Sequence, residues 1–270
     1  MSDKLKWLFG APMKALYILL PLVLRAVTCF IGLNSAFNIA FYALMAFGAV
    51  MLALSALCKK NYAPPFENTA GSALSLFSCV LSAGFFTEFV NRCISVYYAV
   101  QSMRYLVLLA VLIRAFSALF ALLSTVYFIL AALSFGKGHY DFRFLKLLHL
   151  TPMLWAFARL LEAMEHAGVD TDDVSGGLLK YIMFAAALCF FFCFAREVEN
   201  ENGAKRVTVM FSLELVLFSL LYTEETVLML ITERAKGFSY EMLLVFTALS
   251  LCLFSLVFVK NIIKNTCSEN

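Results

Sequence analysis

Three arginines and three glutamates stand inside the long apolar runs of this 270-residue chain: Arg25, Arg114 and Arg159, with Glu88, Glu162 and Glu214. In hydrocarbon an ionised side chain costs at least ~2.5–3.5 kcal/mol on insertion scales, so such residues turn inward and find partners, and they are where binding or ion coupling would be built. Spacing divides them. Glu88 and Arg92 stand i,i+4, and Arg159 and Glu162 stand i,i+3, so each couple can close an ion pair on one helix; these four read as structural pairs. Arg25, Arg114 and Glu214 have no opposite charge within one turn and form the candidate intramembrane polar site. A bridge from Arg25 or Arg114 to Glu214 would lock helices together. An arginine open to a cavity would instead hold an anion or a carboxylate.

The residues around Arg114 extend this reading. Arg114, Ser117, Ala118, Ala121, Ser124 and Thr125 recur on one helical face, and Ser75, Ser78, Cys79 and Ser82 form a similar stripe one span earlier. Small residues let helices approach closely in a membrane, so packing accounts for both stripes. Were Arg114 to face water, the first stripe would line a polar cavity below its guanidinium. Pro21 precedes Arg25 and Pro152 precedes Arg159, so two spans each carry a helix-kinking proline ahead of an arginine, a faint sign of internal duplication.

Other chemistries find no support. The eight cysteines, at 29, 58, 79, 93, 189, 193, 252 and 267, contain no CxxC pair and read as small packing residues. His139, His149 and His166 lack metal-ligand spacing, and the acidic run Glu165, Asp170, Asp172, Asp173 lacks the alternation and closing Glu of a calcium loop. GxSG, HExxH, Walker and GxGxxG patterns are missing, as is the Glu-Glu-x-x-x-Arg of intramembrane CAAX-type proteases. The expectation is no catalytic residue, no metal and no cofactor.

The elements that must position these charges follow from composition. Hydrophobic residues make up 63% of the chain and charged ones 14%, against ~45–50% and ~25% in soluble domains, which leaves a polytopic membrane protein. A span needs ~20 largely apolar residues. Eight segments qualify: 15–33, 35–57, 71–90, 105–134, 144–163, 177–195, 207–223 and 240–259. The fifth is the weakest, its uninterrupted apolar stretch running only from Leu147 to Ala158, and without it the count falls to seven. Basic residues near span ends stay cytoplasmic. With the N-terminus inside, thirteen lie on the cytoplasmic side and five (Arg92, Arg104, Lys180, Arg234, Lys236) outside, which puts both termini in the cytoplasm. Trp7 marks the cytoplasmic interface, and Ala63-Pro64-Pro65 an extended turn. Between Gly84 and Gly136 no Gly or Pro interrupts, and the long fourth span must tilt, protrude, or hand part of its length to an interfacial helix around Ile94–Met103.

The stretch Pro152-Met153-Leu154-Trp155-Ala156-Phe157-Ala158-Arg159-Leu160 resembles a Pro-x-Leu-Trp-Ala-x-x-Arg-Leu pattern of uncharacterised multi-span membrane proteins of anaerobic Gram-positive bacteria. The resemblance covers about a tenth of the chain. It implies a bacterial cell-membrane protein and carries no functional residue across. The sequence thus points to an all-α transmembrane bundle whose surroundings are the lipid bilayer and whose work is binding or interaction with a membrane partner, as subunit, sensor or accessory factor. A small permease for an anionic or amphiphilic solute is the alternative, with Arg25 and Arg114 as binding charges and Glu214 as coupling site. Nucleic acid is excluded, since no basic face or recognition module accompanies the net charge of +3.

Overall fold

A computed structural model describes residues 10–31, 35–58, 62, 72–101, 108–137, 143–166, 174–198, 205–232 and 240–268. Among them the chain is almost wholly helical: α1 (Ala11–Ile31), α2 (Ser35–Leu57), α3 (Ser72–Gln101), α4 (Leu108–Lys137), a 3-10 segment (Arg143–Leu150), α5 (Thr151–His166), α6 (Val174–Val198), α7 (Lys205–Thr232) and α8 (Tyr240–Ser268). Six of these, α2, α3, α4, α6, α7 and α8, are long and apolar enough to cross a membrane. Trp7, the Ala63-Pro64-Pro65 turn, the aspartates after His166, His139 and the basic residues Lys4, Lys6, Lys59, Lys60, Arg104, Arg234 and Lys236 lie outside the described residues.

Each predicted segment coincides with a helix, but several ends move outward. The third was expected to stop at Val90 and runs unbroken to Gln101, so no separate interfacial helix starts at residue 94. The seventh was expected to stop at Thr223 and runs to Thr232. In both cases the hydropathy dip comes from charges, Arg92 and Glu224-Glu225, that the bundle takes in. The fifth segment differs in kind. Its first eight residues are 3-10 and only sixteen are α-helical, about 24 Å at 1.5 Å per residue, shorter than a ~30 Å hydrocarbon core. Pro152 sits second in α5, where its missing N–H is harmless, so it opens the helix instead of kinking it.

Six helices close a ring. α3 packs on α4, α4 on α5, α5 on α6, α6 on α7, α7 on α8, and α8 returns to α3. The α1–α2 hairpin lies outside this ring and docks on α7. Aromatic side chains fill the interior. Phe85 of α3 stacks on Phe128 of α4 at 5.5 Å and meets Trp155 of α5 edge-on at 4.8 Å, while Phe190 and Phe194 of α6 reach Phe254 and Phe258 of α8 at 5.4–6.4 Å. All are buried, and such pairs each add ~0.5–1.5 kcal/mol beyond the area they cover.

Apart from Cys79, which faces outward, the small-residue stripes pack as expected. Ser75 Oγ donates to Ala132 O and Ser82 Oγ to Thr125 O, so the stripes of α3 and α4 face each other, and Ser117, Ala121, Ser124 and Thr125 are all buried. Two glycines permit the closest helix approaches. Pro21 has no N–H, which frees the carbonyl of Tyr17 one turn earlier. Gly48 of α2 sits against that oxygen, and a Cβ on it would come within 2.8 Å. At Gly84 a Cβ would stand 2.1 Å from Ser250 Oγ of α8, and the same glycine's carbonyl accepts from Thr247 Oγ1 at 3.0 Å. Gly84→Ala should therefore lower the melting temperature of the detergent-extracted protein by the equivalent of about 1–3 kcal/mol, the usual cost of overpacking. Adding Ser250→Gly, which removes the clashing atoms, should recover most of the loss in the same thermal scan.

Candidate functional site

The two couples expected to satisfy themselves separately form one cluster. α3 offers Glu88 and Arg92 from successive turns, and α5 offers Arg159 and Glu162; the ring sets these helices on either side of α4, which contributes Arg114. Arg92 and Arg159 both donate to Glu162, one to each carboxylate oxygen. Arg114 Nε lies 3.8 Å from Glu162 Oε1. Glu88 Oε1 lies 2.8 Å from Arg159 Nε and 3.1 Å from Arg92 Nε, contacts of charge in which neither Glu88 oxygen accepts an aligned hydrogen bond. The Arg159 guanidinium also covers the Phe184 ring of α6 at 4.9 Å. Glu88 is 0% exposed, Arg159 2%, and the Arg114 side chain, the most open of the five, 18%.

Arg25 does not meet Glu214. It bridges Glu225 of α7, and its guanidinium lies over Phe41 of α2 at 5.1 Å, so one side chain ties both helices of the hairpin to the ring. Glu224, half-buried, also acts on Arg25 electrostatically. The expected convergence of Arg25, Arg114 and Glu214 is replaced by two separate sets, because α1 docks on α7 while Arg114 faces α5. Glu214 stands half-buried on α7, near Cys189 of α6, and no ion pair joins it among the described residues. α7 also relates the two sets: Tyr222, one turn before Glu225, lies within electrostatic reach of Arg159.

Contacts between α4 and α5 fix their register. Ser124 Oγ approaches Thr151 Oγ1 at 3.5 Å, and Arg114 meets Glu162 a little under three turns away, so the helices run antiparallel with Ser117 opposite Ala158. Around this level lie enclosed polar atoms with no hydrogen-bond partner among the described residues: Ser117 Oγ, Trp155 Nε1 and Arg159 Nη2. Trp155 carried no functional reading in the sequence beyond its place in the Pro-x-Leu-Trp stretch. Glu225 lies beyond Thr223, where the apolar run of the seventh segment ends, so hydropathy alone does not mark it as a partner.

The remaining candidates resolve simply. His149 is buried with Nδ1 3.2 Å from the Tyr127 hydroxyl, which fastens the 3-10 segment to α4. No group of metal-ligating side chains occurs among the described residues. Cys193 and Cys252 are buried packing residues, whereas Cys58, Cys79 and Cys93 face outward, and the six cysteines whose side chains are described are free thiols. No protein-family model, curated protein or solved structure matches the chain.

The Arg25–Glu225 bridge should show the asymmetry of buried ion pairs, in which losing one partner strands the other. Arg25→Met or Glu225→Leu alone should each destabilise the protein by about 3–5 kcal/mol, and the two together by much less than their sum. Thermal unfolding of all four proteins in one detergent gives the coupling energy directly.

Proposed function

We propose that this chain is a multi-pass protein of the cell membrane, crossing eight times with both termini cytoplasmic, and that it works by binding or interaction as a membrane subunit, sensor or accessory factor. One observation carries the reading. The four arginines drawn into the bundle are each bridged to a glutamate: Arg25 to Glu225, Arg92 and Arg159 to Glu88 and Glu162, and Arg114 to Glu162. Guanidiniums spent on holding helices together are poorly placed to bind and release a passing solute. The aromatic filling of the six-helix ring supports the same view, since side chains occupy the space a conduit would need.

The eight-span arrangement is supported by the location of the charges. In the alternating orientation read from the Lys and Arg distribution, Arg25, Arg92, Arg114, Glu162 and Glu225 all fall in the outer half, which agrees with the bridges that join them. On this reading the short α5 crosses together with the 3-10 segment that precedes it, about 16 Å of additional rise at ~2.0 Å per residue.

Two measurements test the proposal. Reporter fusions should place Asp172 outside and the C-terminus in the cytoplasm; a cytoplasmic Asp172 would overturn the eight-span arrangement. Arg114→Ala should lower thermal stability and weaken retention of whatever membrane protein is crosslinked to the wild type in intact cells. Unchanged stability together with lost uptake of an anionic solute would overturn the interaction reading in favour of a carrier.

A further inference from the structure

We propose that the charge cluster of α3, α4 and α5 holds one small monovalent anion, of chloride size, against Arg159, Trp155 and Ser117. The first ground is charge. Three guanidiniums (Arg92, Arg114, Arg159) face two carboxylates (Glu88, Glu162), which leaves one positive charge uncancelled within the described cluster. In a buried setting a net charge is far more costly than a matched pair.

The second ground is independent of charge and concerns donors. Arg159 Nη2, Trp155 Nε1 and Ser117 Oγ are enclosed without a hydrogen-bond partner among the described residues, on side chains that are 2%, 0% and 0% exposed. An unmet buried donor costs ~1–3 kcal/mol, more when it is charged. Guanidinium and indole N–H groups can only donate, and a serine hydroxyl can donate as readily as accept.

The third ground is position. Trp155 and Arg159 stand i,i+4 on one face of α5, and both lie against the Phe184 ring, at 5.8 Å between ring centroids and 4.9 Å from Cζ. The α4–α5 register brings Ser117 to Ala158, beside Arg159 in sequence. Trp155 and Arg159 thus share the wall formed by Phe184 and by Phe85, which meets Trp155 edge-on, and the register sets Ser117 at the same level on α4. Water would answer the donors and leave the charge. A cation would be repelled. An anion answers both requirements, and the tight enclosure of these donors favours the smallest, a halide.

Trp155 is its own reporter. The chain has two tryptophans, so Trp7→Phe leaves Trp155 as the single source of indole fluorescence. In that background, in detergent and at constant ionic strength, sodium gluconate is replaced stepwise by sodium bromide, whose heavy atom quenches an indole it touches. The expected result is saturable quenching that sodium chloride competes away, with chloride also raising the melting temperature above its value in gluconate. Ser117→Ala should weaken the apparent affinity about tenfold, the loss of one hydrogen bond to an ion, and Arg159→Lys should weaken it further. Quenching that is absent, that stays linear in bromide, or that is unchanged in Ser117→Ala would overturn the proposal. Should Arg159→Lys fail to fold, Ser117→Ala decides alone, because it removes one hydroxyl and no charge.

Discussion

One carboxylate gathers three helices. Glu162 accepts from Arg92 of α3 and Arg159 of its own helix, and Arg114 of α4 stands beside it, so a group that would be prohibitive alone in hydrocarbon becomes the point where half the ring is joined. The reciprocal holds for the arginines, whose long stems let them meet at one level from three directions. This end of the ring is arranged around that requirement: Glu88 fully enclosed, Phe184 beneath the Arg159 guanidinium, Tyr222 within electrostatic reach of it from α7. Lower in the ring the rule changes from charge to shape, and interlocking rings from α3, α4, α5, α6 and α8 do the filling.

The close approaches depend on equally local causes. Pro21 exposes the Tyr17 carbonyl, and a residue without a side chain must then face it from α2, which is Gly48. Gly84 does the same for α8, with Thr247 supplying a hydrogen bond to its carbonyl. Between α3 and α4 the serines are short enough to let the backbones near and polar enough to donate to the neighbouring carbonyls.

Much of this was legible from residue types and periods, and the failures share a cause. The eight apolar segments, the all-helical class and the small-residue stripes follow from hydropathy and helical spacing, both local properties. The i,i+4 and i,i+3 couples singled out Glu88, Arg92, Arg159 and Glu162, but their meeting across helices depends on register, which spacing along one helix does not contain. Span ends failed for the same reason in another form. Arg92 and Glu224-Glu225 look like boundaries when each residue is weighed alone, and only the partner on another helix makes them interior. Glu214 lies within the apolar run and Glu225 past its end, so hydropathy pairs Arg25 with the wrong glutamate. Trp155 Nε1 could not have been recognised as an unmet donor without the surrounding rings.

The hairpin of α1 and α2 docks on the ring at α7, and its ionic tether joins residues 200 apart in the chain. At ~5–20 residues per second, the ribosome makes Glu225 about 10–40 s after Arg25. For that interval the α1–α2 pair exists without its docking surface on α7, and the Arg25 guanidinium must be kept hydrated, by snorkelling toward the headgroups or by the insertion machinery. A helix pair made before α7 is therefore fixed only after it, and the tether closes late what the chain laid down early.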